Sequence, residues 1–502
     1  SLLEEVLDYK LTTLHNSKET IHRLRLDFNK YYKDTAFAKK SIVSITKQDC
    51  ENFFSPLITT DRKKKDFDNI IGVANAIFSY AVNRLEIIPC SPLSKATLNR
   101  KILDKGISES DEDRVYFHDE QDKLFEEIDK KIAAAKEKGV DIISLGIGDP
   151  DKPTIQSVVD EMHKAIDNPK NHDYPPYAGT DEFKTAATNW MKRRFNVDLD
   201  AKTEMICNIG SKEAIAHVFF AFVDAGDYTL IPDPGYPVYK TATIFAGGNP
   251  YSMPLLEENK FLPDFDKIPE DIAKKSKIMF LNYPNNPTGA VCDLDFFKKA
   301  VDFCKKYDIL LCHDQAYCEM TYDGYKAHSI FEIEGAKDIA LEFFSHSKSY
   351  NMTGWRVGFV CGNEKYLKAL GTIKSNIDSG TFKAIQQAAA VAFDAPKEQI
   401  ENLTKMYQER RDVMEAGLRE LGWDIKTSKA TFYLWLKVPQ GFTSEEFATI
   451  LLEKAGIVVP PGNGYGKYGE GYFRIALTQE VPTLKKAIER MKNAGISYNM
   501  TK

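Results

Sequence analysis

The spacing of apolar positions changes once along the 502-residue chain. From residue 1 to about 105 it is helical: Leu2, Leu3, Val6 and Leu7 share a face, and the stretch from Ser17 to Phe28 repeats the spacing. Phe67 to Leu85 then carries a long stripe through Ile70, Ile71, Ala74, Ile77, Phe78 and Ala81. Thr46, with Asp49 three residues on, offers a capped helix start. An all-helical bundle is expected over 1–105. Ser, Lys, Asp and Glu dominate the stretch after it, which predicts a linker over 106–125.

From Lys131 short apolar runs alternate with longer helical ones, the pattern of an α/β domain built on a mainly parallel sheet. The runs VDIISLGIG, DYTLIPDP, KIMFLNYP, DILLCHD and IALEFFSHS read as strands. After about Pro396, helices and two short strand-like runs, Thr431 to Leu436 and Tyr472 to Leu477, predict a smaller α+β domain. It is expected to combine 126–160 with 396–502 around a large domain at 161–395. Sheets of this kind bind ligands beyond the carboxyl ends of their strands.

Composition, 43% hydrophobic and 28% charged, is that of an ordinary water-soluble chain with room for a large core. The net charge of −6 is uneven: residues 1–105 hold 18 Lys and Arg against 13 Asp and Glu, so only this head is a candidate for nucleic-acid contact. Arg62, Lys63, Lys64 and Lys65 form its best basic cluster. Eight scattered cysteines with no C-x-x-C pair predict reduced thiols. The longest apolar stretch, Ile70 to Val82, falls short of the roughly 20 residues a membrane helix needs. A cytoplasmic protein with no membrane contact and no metal site is expected.

The stretch with the densest chemistry is LEFFSHSKSYNMTGWRVG, residues 341–358. Ser345, Ser347 and Ser349 surround Lys348 at the end of an apolar run, and Arg356 follows eight positions on. S-K-S alone reads as a solvated surface turn. Upstream, however, Tyr283-Pro284-Asn285-Asn286-Pro287-Thr288-Gly289 and His313-Asp314-Gln315-Ala316-Tyr317 also end buried runs. Three strand ends thus deliver an amide, a carboxylate with a phenol, and an amine to one region.

In this order N-P-T-G, D-x-x-Y and S-x-S-K with a downstream Arg resemble the class I/II, fold-type-I aminotransferases dependent on pyridoxal 5'-phosphate (PLP). From about Leu124, LGIGDPDKPT, YPPYAGT and IPDPGYPVY look most like the LL-diaminopimelate aminotransferase branch. The resemblance implies that Lys348 bonds the PLP aldehyde carbon and shuttles a proton, with its pKa depressed by burial and neighbouring cations. It implies that Asp314 faces the pyridine nitrogen, that Asn286 and Tyr317 bond the ring's phenolic oxygen, and that Tyr236 stacks on the ring. Ser211 and Lys212 at a helix start, Ser345 and Arg356 would hold the phosphate. Tyr174 would reach the phosphate of a neighbouring subunit, which implies a homodimer. Arg474 would grip the substrate carboxylate, with Gly148 approaching it through backbone. A helix cap for Asp314, a core position for Tyr236 and a tight turn at Gly148 are the structural alternatives.

The implied reaction is ping-pong exchange of an amino group between an amino acid and a 2-oxo acid, LL-diaminopimelate and 2-oxoglutarate in the nearest branch. Alanine or aspartate specificity stays open. In the head, SKETIHRLRLDFNKYY, SITKQDCENFF and the segment from Lys63 to Leu93 resemble the core-binding domain of phage-type tyrosine recombinases (integrases). That resemblance implies weak DNA contact through phosphates. The catalytic half of such enzymes has no counterpart after Glu127, so recombinase chemistry is not expected. A DNA-binding regulator with an aminotransferase-like sensor domain also stays open, although no strand-turn-strand wing is readable in the head.

Overall fold

In the computed structural model, which describes residues 2–13, 18–58, 64–85, 87–88, 91–95, 131–133, 137 and 139–502, the helical period of the head becomes helices at Leu2–Thr12, Lys18–Tyr31, Lys47–Phe54 and Lys64–Asn83. Thr46 caps the third with the expected box: its side chain accepts from the Asp49 N–H while the Asp49 carboxylate accepts from the Thr46 N–H. Leu3, Leu7, Ile21, Leu24, Phe54, Phe67, Ile70 and Phe78 form the bundle's core. Burying a side chain such as Phe54 or Phe67 contributes about 2–3 kcal/mol. The buried Tyr32 hydroxyl donates to the Ile70 carbonyl at 2.5 Å. Arg62, Lys63 and the 106–125 linker lie outside the described residues, as do the side chains of Lys64 and Lys65.

Residues 1–115 and 116–502 are two compact units. The second is organised by a seven-stranded sheet of β2 (Met205–Asn208), β3 (Tyr228–Asp233), β4 (Asn249–Pro254), β5 (Ser276–Asn282), β6 (Leu310–Asp314), β7 (Ala340–Ser345) and β8 (Gly358–Gly362). Their order is β2-β8-β7-β6-β5-β3-β4. Only β8 runs against its neighbours, so the sheet is mainly parallel, as the sequence implies. DYTLIPDP, KIMFLNYP, DILLCHD and IALEFFSHS are its strands β3, β5, β6 and β7. VDIISLGIG is not: only β1 (Ile143–Ser144) is strand, and it pairs with β10 (Ile457–Val458) outside the main sheet.

Side-chain alternation sets the rim chemistry. Ile278 and Phe280 of β5, Leu310 and Cys312 of β6, and Leu341 and Phe343 of β7 pack into one core on one face. The residues two positions on, Asn282, Asp314 and Ser345, continue that face where the strands end. β9 (Tyr433–Lys437) and β11 (Tyr472–Ala476) pair antiparallel, and their inward residues join Ile143, Leu145, Met414, Leu418 and Phe447 in a separate core. No described helix is long and apolar enough to cross a membrane.

Candidate active site

Asp314 ends β6 at 5% exposure. Its Oδ2 accepts from the Tyr239 hydroxyl at 2.8 Å, while Oδ1 is buried without a hydrogen-bond partner. Burial pushes its pKa up to about 6, against the lowering pull of Tyr239, His313 and the Ala316 N–H. A buried carboxylate with one free oxygen has unmet capacity for a cationic N–H. Asn282, beside it in register, donates from Nδ2 to the Asp314 carbonyl at 2.8 Å and accepts the Asn286 N–H at 2.8 Å.

Lys348 sits in the four-residue helix His346–Ser349 that follows β7. Its Nζ donates to the Gly148 carbonyl at 2.8 Å and to Asp149 Oδ1 at 3.1 Å, and lies 5.7 Å from the Phe432 ring centre. The sequence reading surrounds this amine with cations. The groups bonded to it are a carbonyl and a carboxylate, because the 146–151 loop folds over it.

Gly210 precedes the helix Ser211–Phe222 at φ 74, ψ 159, a conformation nearly closed to residues with a side chain. A Cβ there would meet Arg356 Nη2 at 2.5 Å. Arg356 is itself held by the Thr353 carbonyl at 2.9 Å and extends towards the Ile209 carbonyl and Ser347 Oγ, both at 3.5 Å. The Ser345 side chain caps its short helix by accepting from the Ser347 N–H. A helix N-terminus, a guanidinium and two serine hydroxyls thus converge as an anion site. Lys212 is exposed on the first turn of that helix. Tyr174 is 85% exposed. The half-buried Tyr236 stands edge-on to Tyr239, centroids 5.7 Å apart, and burial pushes its pKa to about 12.

Arg474 of β11 is buried between the rings of Tyr433 and Tyr465, 4.2 and 5.0 Å from their centres. Its fork donates to Asn286 Oδ1 at 3.0 Å and to the Gly146 carbonyl at 2.7 Å, leaving buried Nε without a partner. The Tyr317 hydroxyl shares a hydrogen with Tyr433 at 3.1 Å. A Cβ on Gly148 would lie 2.3 Å from the Tyr433 hydroxyl, so only glycine fits beside that ring. The structure therefore gathers Lys348, Asp314, Asn286, Tyr317, Arg356, Ser345, Ser211, Arg474 and Gly148 at the strand ends. Tyr239, Tyr433 and Asp149 belong there too, yet sequence reasoning did not name them. Tyr239 lies three residues after Tyr236, in the first turn of the helix Pro237–Phe245 that Tyr236 precedes, the one signal that pointed its way.

The orphan Asp314 oxygen, the amine and the anion site fit PLP, whose pyridine nitrogen, aldehyde and phosphate need these three partners. Sheet, lysine, buried carboxylate and arginine-lined helix start define a fold-type-I PLP-dependent transaminase. A profile of the family "Aminotransferase class I and II" matches residues 140–491, and the chain belongs to that family. It is 59% identical over 376 residues to "LL-diaminopimelate aminotransferase 2" of Nostoc sp., covering 75% of this chain and 96% of the relative. With the "LL-diaminopimelate aminotransferase" of Gloeobacter violaceus it shares 58% over 377 residues, again 75% of this chain and 96% of the relative. Among solved structures, apo-BacF from Bacillus subtilis aligns with a TM-score of 0.72 at 38% identity, over 75% of this chain and 96% of that one. A probable N-succinyldiaminopimelate aminotransferase from Thermus thermophilus gives 0.70 at 34%, over 74% and 100%.

Proposed function

We propose that the chain transfers an amino group between LL-diaminopimelate and 2-oxoglutarate, in two half-reactions that use one site in turn. The observation that supports transamination is the placement of a free buried carboxylate oxygen, a lysine amine and an arginine fork around one rim. High identity to LL-diaminopimelate aminotransferases over nearly their full length supports the donor. When bound, PLP supplies the electron sink and carries the amino group between half-reactions.

The protein's part follows from its groups. With PLP bound, the unpartnered Asp314 Oδ1 would hold a proton on the pyridine nitrogen. Ser211, Ser345 and Arg356, with Lys212 at the helix start, would bind the phosphate, and Tyr236 would cover the ring. Asn286 and Tyr317 would bond the ring oxygen. Arg474 pairs its fork with the substrate carboxylate, exchanging the Gly146 carbonyl and Asn286 for a charged partner. Lys348 Nζ moves the proton of the substrate α-carbon. Tyr174, projecting from the surface, completes the phosphate site of a second copy in a homodimer. Residues 126–160 with 396–502 are the small domain that carries Arg474, and 161–395 the large one. For the head we retain the reading of a recombinase-like helical unit with weak, salt-sensitive DNA contact, supported by its helical fold and basic balance.

The test is glutamate formation from 2-oxoglutarate with a panel of donors. LL-diaminopimelate is expected to give the highest kcat/KM. Faster turnover of alanine or aspartate overturns the donor, and binding without turnover is the behaviour of a sensor and overturns the enzyme.

A further inference from the structure

The loop after β1 gives its carbonyls to the protein one after another. Leu145 accepts from the Ala476 N–H at 2.7 Å, Gly146 from Arg474 at 2.7 Å, Ile147 from the Thr478 hydroxyl at 2.8 Å and Gly148 from Lys348 at 2.8 Å. With the carbonyls committed, the N–H groups of Ile147 and Gly148 donate to no acceptor among the described residues. Two such N–H groups beside Arg474 are suited to an anion.

One side chain ties this loop to the strand that carries Arg474. Arg410 is 0% exposed. It bonds Asp151 bidentately, at 2.6 Å from Nη1 to Oδ1 and 2.8 Å from Nη2 to Oδ2, and donates from Nη1 to the Leu477 carbonyl at 3.2 Å. Leu477 directly follows β11. Glu480, 3.5 Å from Nη2, reinforces the fork and is itself paired with Lys152 of the loop. Hydrogen bonding and the charge of Arg410 hold the half-exposed Asp151 carboxyl below its usual range, against the burial that opposes it. A fully buried guanidinium is poor evidence of stability for its own sake. A planar fork joining two ligand-bearing segments does fix their relative register.

We propose that the Asp151–Arg410 pair is a positioning device for substrate carboxylate recognition, holding the Ile147 and Gly148 N–H groups in register with Arg474. This rests on the aminotransferase reading and deepens it. Neither residue touches substrate. Their effect is on the geometry of groups that do, where a displacement of about 1 Å costs up to about 100-fold.

The test uses full-length, cofactor-loaded protein and glutarate, a dicarboxylate of the same length as 2-oxoglutarate that lacks the reactive oxo group. Calorimetry gives its Kd for wild type, Asp151→Asn, Asp151→Glu and Thr478→Val. Expected are a rise of about tenfold in glutarate Kd and 2-oxoglutarate KM for Asp151→Asn, with kcat and cofactor affinity within about threefold, and partial recovery in Asp151→Glu. Thr478→Val, which loosens the same loop without touching a charge, is expected to move Kd the same way by a smaller factor. It decides the matter if Asp151→Asn does not fold. Variants that lose thermal stability yet bind glutarate like the wild type overturn the proposal and leave a structural ion pair. A wild type that neither binds glutarate nor makes glutamate defeats the aminotransferase reading itself, a distinguishable result.

Discussion

Tyr239→Phe removes one hydroxyl, and the structure says what that hydroxyl does. It donates to Asp314 Oδ2 at 2.8 Å inside a buried site. A hydrogen bond to a buried charge stabilises it by about 1.5–3 kcal/mol, and about 1.36 kcal/mol corresponds to one pH unit. The Asp314 midpoint, about 6 in the wild type without cofactor, therefore rises by about one to two pH units. The sign is fixed: the bond favours the ionised form, so its loss favours the proton. Cofactor capture needs the carboxylate. The variant's PLP Kd should exceed that of the wild type by about 5- to 50-fold at pH 6, with the difference shrinking to within about twofold by pH 9. Fluorescence titration of cofactor-free protein across that range is the assay. A penalty of equal size at every pH, or none, refutes the electrostatic role of Tyr239 and the assignment of Asp314 with it.

Three further outcomes follow from the same geometry. Folded Asp314 titrates above the roughly 3.9 of an unfolded aspartate, so its own contribution to the stability of the cofactor-free protein falls as pH rises from about 4 to 6. Asp314→Asn should gain on the wild type over that window by about 3 kcal/mol at most in denaturant unfolding, while losing cofactor binding. Arg474→Lys exchanges a fork for a point charge and should lower kcat/KM by about 10- to 100-fold for donor and acceptor alike, with the cofactor spectrum unchanged. Gly210→Ala places a methyl where Arg356 lies, on a backbone with φ 74, and should weaken cofactor binding by at least about tenfold, read by equilibrium dialysis.

Much of this was legible because the rim chemistry follows from period and order. Apolar runs ending in Asn, Asp and Ser name the strands β5, β6 and β7, and side-chain alternation then puts Asn282, Asp314 and Ser345 on one face. The Thr46 cap was equally local. What escaped was set by contacts distant in sequence. Strand β4 is an edge strand with mostly half-exposed side chains and two prolines, while β2 has only four residues and pairs with β8 from far along the chain. Their place is set by the sheet more than by their own pattern. Tyr433 meets Tyr317 across 116 positions, and Arg410 meets Asp151 across 259. No local spacing announces such pairs. Cations were expected around Lys348 because the imine-forming role implied by the resemblance needs a free amine at neutral pH. The carboxylate that reaches it, Asp149, comes from a loop 199 residues upstream.

The central claim is that the Lys348 amine is the group that bonds the cofactor aldehyde. Borohydride reduction of the loaded protein, followed by peptide mass spectrometry, tests it directly, because reduction locks that bond to whichever lysine forms it. We predict one modified peptide, bearing the reduced pyridoxyl phosphate group on Lys348 and absent from Lys348→Ala. The same mass on another lysine, or an unmodified Lys348 in fully loaded protein, would contradict it.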